Sequence, residues 1–183
     1  MSHRSIQTDQ SERPRGSGHP AALSDEALLA QCKQGRGRSG GPGGQHRNKV
    51  ETLVELTHLP TGLESHAGER RSVTENRSVA IRRLRLLLAT EHRCAVPLGE
   101  IGSELWRSRV RAGRISCNPD HTDFPSLLAE ALDVVFAMKL DTSRAAIRLG
   151  CTASQLTKLI KEHPPALARV NDARRERGEH PIR

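Results

Sequence analysis

The segment from Gly35 to Lys49 reads GRGRSGGPGGQHRNK and is the most unusual stretch of the chain. It holds six of the chain's 15 glycines, four Lys or Arg residues and no acidic residue. Glycine allows positive φ angles and close approach of the backbone to a ligand, and Gly and Pro together disfavour a regular element. We therefore expect an irregular, basic loop whose tip carries one amide side chain, that of Gln45.

The side chains of this loop limit its chemistry. Gln45 is uncharged at every pH, so it cannot act as a general base. It can orient a water molecule, and its backbone N–H can donate to a developing oxyanion. The cations of the loop can follow an RNA backbone. Composition alone fits equally a flexible Gly/Arg-rich RNA-binding segment.

Outward from the loop, the pattern predicts a small sheet with a helix. Ser24 precedes a short helical turn, and we interpret Leu28–Lys33 as a strand. Leu53–Leu59 is apolar and β-rich, which predicts a second strand. Pro60-Thr61-Gly62 is a typical turn sequence, and a return strand is expected from Leu63.

A helix is predicted from Arg77 to Thr90, because its apolar residues recur at helical spacing. Arg82 and Arg85 lie on a different face of that helix. Strands followed by helices predict an α+β fold, with a short mixed or antiparallel sheet, a packed helix and a long Gly-rich loop.

The segment Ser39–Thr52, SGGPGGQHRNKVET, resembles the GGQ motif of class I peptide-chain release factors and of their codon-independent relatives in ribosome rescue. The resemblance continues through Thr57–Gly62, THLPTG, and through Glu69–Ser72 and Asn76-Arg77, so that it covers about residues 24–90. The Gly-Gly-Gln order, the His-x-Asn-Lys that follows it and the hairpin at the correct distance make this resemblance specific.

This resemblance implies a ribosome-dependent peptidyl-tRNA hydrolase that needs no cofactor and no metal. Its loop would enter the peptidyl-transferase centre beside the P-site tRNA, and the Gln45 N–H would face the tetrahedral intermediate. The implied catalytic residues are Gly43, Gly44 and Gln45. The implied contacts with rRNA or tRNA in this half are Arg36, Arg38, His46, Arg47, Asn48, Lys49, Arg82 and Arg85.

The chain departs from the family pattern in several places. Arg47 stands where a small apolar residue is common. Only about forty residues precede the loop, whereas full-length release factors carry a large codon-reading domain there. We therefore expect release without stop-codon reading, as in ribosome rescue.

The second half reads as helical from Phe124 onward, with helices expected at Ser143–Leu149, Ala153–His163 and Ala166 to about Arg177. Residues 142–161 fit a helix-turn-helix pattern in which Gly150 forms the turn. A helical bundle without a nucleic-acid role fits this pattern too. Residues 124–183 carry ten Lys/Arg and seven Asp/Glu, a net charge of +3. The candidate RNA contacts of this half are Lys158, Lys161, Arg174 and Arg175.

These patterns divide the chain into four parts. Residues 1–22 are expected to be a disordered tail, 23–92 a GGQ domain, 93–123 a linker, and 124–183 an all-α module of the helix-turn-helix type. The linker includes Trp106, the only Trp, with three arginines around it.

Composition bounds the partners. The net charge is +8 and the pI is about 10.2, which favours a polyanionic partner such as nucleic acid. No apolar run approaches the ~20 residues that cross a bilayer, and no signal peptide is recognisable. We expect a cytoplasmic monomer that binds the ribosome and no membrane.

Two further residue types narrow the chemistry. The four cysteines form no C-x-x-C pair, and Cys117 with His121 offers only two ligands, so no metal or redox site is predicted. With three aromatic residues besides histidine, a base-stacking platform is not expected, and nucleic acid would be held through phosphates.

Three hypotheses follow for the function. The chain is a rescue or quality-control factor that hydrolyses peptidyl-tRNA, or a non-catalytic RNA-binding protein that uses the loop as an rRNA contact. The weakest of the three is a DNA-binding regulator of the helix-turn-helix type.

Overall fold

The computed structural model describes residues 18–37 and 52–182. The predicted catalytic tip Gly43-Gly44-Gln45, and the predicted contacts Arg38, His46, Arg47, Asn48 and Lys49, lie outside the described residues. So does the predicted tail as far as residue 17.

A three-stranded antiparallel sheet forms the first layer, with strand order β1-β2-β3. β1 spans Cys32–Gly37, β2 spans Leu53–His58 and β3 spans Glu64–Ala67. β2 alternates between buried and more exposed side chains, so one face of the sheet is apolar. The helix α1, Asp25–Ala30, precedes the sheet.

The strand predicted at Leu28–Lys33 is therefore wrong. Ser24 caps α1 by accepting from the Ala27 N–H, and the helix continues to Ala30. β1 then runs into the Gly-rich stretch as far as Gly37, where we expected no regular element. The reason is non-local, because ladder pairing with β2 fixes residues whose own propensity for strand is low.

The helix α2, Val73–Glu91, covers the apolar face of the sheet. It begins four residues before the predicted Arg77, because the Ser72 hydroxyl accepts from the Glu75 N–H and caps it. Its buried face includes Ala80, Ile81 and Leu84.

The second half contains five helices and a small hairpin within the described residues. α3, Glu104–Arg109, runs directly into β4, Val110–Arg111, which pairs with β5, Arg114–Ile115. The remaining helices are α4 Phe124–Ala137, α5 Thr142–Arg148, α6 Ala153–Lys161 and α7 Pro164–Glu176. The α+β fold with a following helical module is confirmed.

The helix-turn-helix pattern is confirmed in its packing. Leu149, Leu156 and Leu159 are all buried between α5 and α6, as their spacing predicts. Gly150 in the turn has a φ of +67°, which a glycine adopts without strain. Pro164 and Pro165 open α7, where a missing N–H costs little, and α6 has already ended at Lys161.

One continuous apolar core joins the sheet, α2 and the helices of the second half. α2 packs on α4 as well as on the sheet, and a 3-10 turn at Pro20–Ala22 lies against both helices. The predicted tail therefore ends in ordered backbone, and the predicted linker contains α3, β4 and β5. The division of the chain into domains at residues 92 and 123 stays a prediction.

Among residues 18–37 and 52–182, no helix has the length and apolar character needed to cross a membrane.

Candidate functional site

The residues that flank segment 38–51 lie at the same end of the sheet. Gly37, the last residue of β1, is the register partner of Leu53, the first residue of β2. The segment that contains Gly43-Gly44-Gln45 therefore lies between two register partners on adjacent strands. Arg36, a predicted rRNA contact, lies opposite Val54 in this ladder, and Arg36 is exposed.

Asn76, in the first turn of α2, is bonded to Thr52, which directly follows segment 38–51. Its side-chain amide donates to the Thr52 carbonyl at 2.7 Å and to the Arg70 carbonyl at 2.9 Å. Its carbonyl oxygen accepts from the Arg70 N–H at 2.9 Å. Because Asn76 is fully buried, these three bonds satisfy the side chain without water. The backbone just after the Gly-rich segment is thus fixed to the helix.

At the other end of the sheet, the turn between β2 and β3 is fixed by the hydrogen bonds of His58. His58 is buried, and its Nδ1 lies 2.8 Å from the Thr61 hydroxyl while its Nε2 lies 3.0 Å from the Gln31 side-chain oxygen. Burial lowers the pKa of His58, which favours the neutral ring that this pattern requires. Gly62 has a φ of +72°, as the predicted turn needs. The THLPTG sequence therefore builds the hairpin turn and fastens it to the end of α1.

Arg82 and Arg85, both predicted RNA contacts, bond within the chain. Arg82 donates to the carbonyls of Pro119 and His121, at 2.5 Å and 3.2 Å. Arg85 donates to the Ala21 carbonyl and pairs with Asp25, both at 2.7 Å. These guanidinium groups fasten flanking segments onto α2, and a contact with RNA remains a prediction for both.

The four predicted RNA contacts of the second half fall into two groups, which differ in whether the side chain has a partner within the chain. Lys158 and Lys161 are exposed on α6, the second helix of the helix-turn-helix. Arg174 donates to the carbonyls of Leu140 and His180, while Arg175 pairs with Asp172 on α7. The structure thus separates two lysines presented to solvent from two arginines with partners in the chain.

Sequence reasoning missed the hairpin β4–β5 and what it contacts. Thr152, the N-cap of α6, donates its N–H to the Gly113 carbonyl at 2.9 Å. The Ile115 N–H donates to the Gln155 side-chain oxygen at 3.3 Å, and the Trp106 indole donates to the Leu149 carbonyl at 2.8 Å. The hairpin and α3 are therefore fixed to the turn and second helix of the helix-turn-helix. The cluster of arginines around the only Trp was the available signal.

A buried polar cluster lies where the two halves of the chain meet. One ligand atom each from His19, Cys94 and Asp133 lie within 4.8 Å of one another, an arrangement that could hold a metal ion. Both ring nitrogens of His19 are already hydrogen-bonded, however, to the Ala21 N–H and the His92 carbonyl. Asp133 accepts from the Cys94 N–H at 3.0 Å and pairs with Arg93 at 3.4 Å. The hydrogen bonds give this cluster a structural role.

The class of protein follows from comparison with known families. Residues 30–98 match the family model of the RF-1 domain, so this part of the chain is similar to that domain. The match spans β1, the Gly-Gly-Gln segment, β2, β3 and α2. The resemblance to class I release factors is confirmed for these residues.

Particular relatives share the same region. The chain is 52% identical over 91 residues to peptide chain release factor 1 of Chloroherpeton thalassium, covering 48% of this chain and 24% of that protein. It is 39% identical over 88 residues to peptide chain release factor 1 of Symbiobacterium thermophilum, covering 48% and 24%. With peptide chain release factor 1 of Chlorobaculum tepidum it shares 32% identity over 133 residues, covering 65% and 35%.

The chain thus spans a quarter to about a third of the length of these relatives. No solved structure matches the chain significantly.

Proposed function

We propose that this protein releases nascent chains by hydrolysing the peptidyl-tRNA ester in the ribosomal peptidyl-transferase centre. The observation that carries the proposal is an RF-1 domain match that includes Gly43-Gly44-Gln45. In the structure, β1, β2 and Asn76 hold both sides of that segment. The ribosome and the P-site peptidyl-tRNA are the proposed partners, and no cofactor is required.

The proposed roles follow the chemistry of the three residues. Gly43 and Gly44 allow the backbone to approach the ester, and the Gln45 N–H donates to the oxyanion of the tetrahedral intermediate. The Gln45 side chain positions the attacking water. The cations Arg36, Arg38, Arg47 and Lys49 contact phosphates of rRNA or tRNA, with His46 and Asn48 beside them.

We propose further that release occurs without stop-codon reading, in ribosome rescue or quality control by a cytoplasmic monomer. The support is the module beside the RF-1 domain, in which a helix-turn-helix presents Lys158 and Lys161 to solvent. Such a surface suits contacts with the phosphate backbone, which carry no sequence information.

The deciding experiment measures peptide release from purified ribosomes that carry formyl-methionyl-tRNA in the P site. The A site holds a stop codon, a sense codon or no codon. We expect equal rates with all three. A rate on stop codons far above the rate on sense codons would overturn the codon-independent part. Ribosome binding without any release would favour the non-catalytic alternative.

A further inference from the structure

The groove between the β4–β5 hairpin and α6 is strongly basic. The groove residues that carry the argument are Ser108, Arg111, Arg114, Ser116, Gln155 and Lys158. Arg109 also lines it, whereas no acidic side chain does within the described residues. Cations thus stand on both walls, with neutral hydrogen-bonding groups between them.

Three of these cations are available to a ligand. Arg109 pairs with Asp123 at 2.5 Å, which offsets its charge. Arg111, Arg114 and Lys158 are exposed, and none forms an ion pair with any residue in the part of the chain that the structure describes. Unpaired cations that line one groove repel each other and attract an anionic ligand.

The groove is a fixed feature of the fold. Ala112 and Gly113, at φ of 48° and 77°, form the two-residue turn of a tight hairpin. The Gly113 carbonyl and Gln155 side chain bond that hairpin to α6, as described above, and the buried Trp106 fixes α3 behind it. The two walls are therefore held in place before any ligand binds, which limits the entropy lost on binding.

The lining selects the kind of ligand. It has no aromatic side chain for base stacking and one apolar side chain, that of Ile115. Guanidinium groups bind phosphate oxygens through paired N–H donors, and Ser and Gln side chains add neutral hydrogen bonds. Lys161, one turn beyond Lys158 on α6, extends the cationic surface.

We propose that this groove binds the phosphate backbone of double-stranded RNA, and that it docks the protein on a helix of rRNA. The choice of RNA over DNA rests on the proposed function, whereas the choice of a phosphate backbone rests on the groove itself. It adds Arg111 and Arg114, on the hairpin, to the predicted contact Lys158.

The test measures binding of the full-length protein to a fluorescein-labelled 20-base-pair RNA duplex by anisotropy, from 50 to 300 mM KCl. The groove variant is Arg111→Ala/Lys158→Ala, which removes one cation from each wall. The matched control is Lys139→Ala/Arg144→Ala, which removes the same charge outside the groove. A second variant, Arg111→Lys/Lys158→Arg, keeps the charge.

We expect the groove variant to bind the duplex at least about tenfold more weakly at 100 mM KCl. Its slope of log K against log salt should be smaller by about two, because two phosphate contacts are lost. The control and the charge-keeping variant should bind within about twofold of wild type. Equal losses in the groove and control variants, or an unchanged salt slope, would overturn the proposal.

Two further ligands test the class of partner. If a DNA duplex of the same sequence binds more tightly than RNA, with the same loss in the groove variant, the RNA assignment is wrong. If a polyglutamate peptide displaces the RNA completely at equal charge concentration, the assignment of the groove to phosphate groups is wrong. The Gln45→Ala variant should bind the duplex normally. Normal duplex binding by the wild-type protein, without release from ribosomes, would count against the proposed function and leave the groove proposal standing.

Discussion

At the scale of single residues, the Gly-Gly-Gln segment and Asn76 have different proposed roles. The segment supplies the proposed chemistry, and Asn76 fixes the backbone beside it through Thr52. A buried amide with three bonds to backbone groups is a positioning residue, because it never reaches the substrate. Changes at the two places should therefore have different signatures.

Gln45→Ala should reduce peptide release by about a hundredfold or more and leave ribosome binding nearly unchanged. The side chain carries no charge that could contribute affinity, whereas its amide is proposed to position the attacking water. Gly44→Ala should be as damaging, since a Cβ restricts positive φ and close approach. Release rates and co-sedimentation with ribosomes check this, and full activity of either variant would contradict it.

Asn76→Ala should lower the free energy of unfolding by about 2–4 kcal/mol. The carbonyls of Thr52 and Arg70, and the Arg70 N–H, would each lose a partner. Urea unfolding followed by circular dichroism measures the loss. Ser78→Ala is the control, because Ser78 is exposed on the same helix and donates only to the Thr74 carbonyl. Similar losses in both variants would show that the Asn76 bonds are not special.

At the scale of elements, the β4–β5 hairpin packs closely against the helix-turn-helix at Gly113. A Cβ on Gly113 would lie 3.3 Å from the Thr152 Cγ2, and the φ of +77° disfavours any other residue. A Cβ on Gly150, at φ +67°, would meet open space. The two glycines thus share the backbone requirement and differ in crowding.

Gly113→Ala should therefore destabilise the protein more than Gly150→Ala, which should lose about 1–2 kcal/mol from its φ alone. Adding Thr152→Ser to Gly113→Ala should recover the extra stability that Gly113→Ala loses relative to Gly150→Ala. Serine lacks the crowding methyl group and keeps the hydroxyl that accepts from the Gln155 N–H. Thermal or urea unfolding of the wild type and the three variants checks this, and a double variant no more stable than Gly113→Ala would contradict it.

At the scale of the whole molecule, two buried groups at the junction of the halves oppose each other in acid. Burial lowers the pKa of His19 to about 4, and burial raises the pKa of the Asp133 carboxyl to about 6. As pH falls from 6.5 to 4, the unfolded chain protonates the histidine first, so stability falls. Between pH 6 and 4 the folded chain protonates the carboxyl first, so stability rises. Lowered pKa values at His58 and His163 add to the histidine trend.

Asp133→Asn should therefore make the protein more sensitive to acid than the wild type. Without the carboxyl, the free energy of unfolding should fall by about 2–3 kcal/mol more between pH 6.5 and 4. His19→Asn should show the opposite change. Urea unfolding at pH 4, 5.5 and 6.5 measures both, and parallel pH profiles for wild type and Asp133→Asn would rule out the raised pKa.

The shared core also decides how the second half can be tested. α2 buries side chains against the sheet on one side and against α4 on another. Removing residues 124–183 would expose that apolar surface, so a truncated protein would report on folding as well as affinity. Surface variants in the full chain, such as Arg111→Ala/Lys158→Ala, avoid this difficulty.

The amino-acid sequence by itself determined the local features of this protein. The order Gly43-Gly44-Gln45 indicated the resemblance to class I release factors. The THLPTG sequence predicted the hairpin, and the spacing of Leu149, Leu156 and Leu159 predicted the helix-turn-helix. Each is a short-range pattern, in which neighbouring residues set the backbone angles or share one face. The covering of the sheet by α2 follows from the same periodicity.

Only the tertiary structure decided the long-range features. β1 enters the Gly-rich stretch because β2 pairs with it, and Ala112-Gly113 is a weak hairpin signal that gains its place from contact with Thr152. Arg82 and Arg85 look like free cations in the sequence, yet in the fold backbone carbonyls and Asp25 accept hydrogen bonds from them. The basic groove joins residues about forty positions apart. Such pairings depend on which segments meet, and propensity and periodicity carry no information about that.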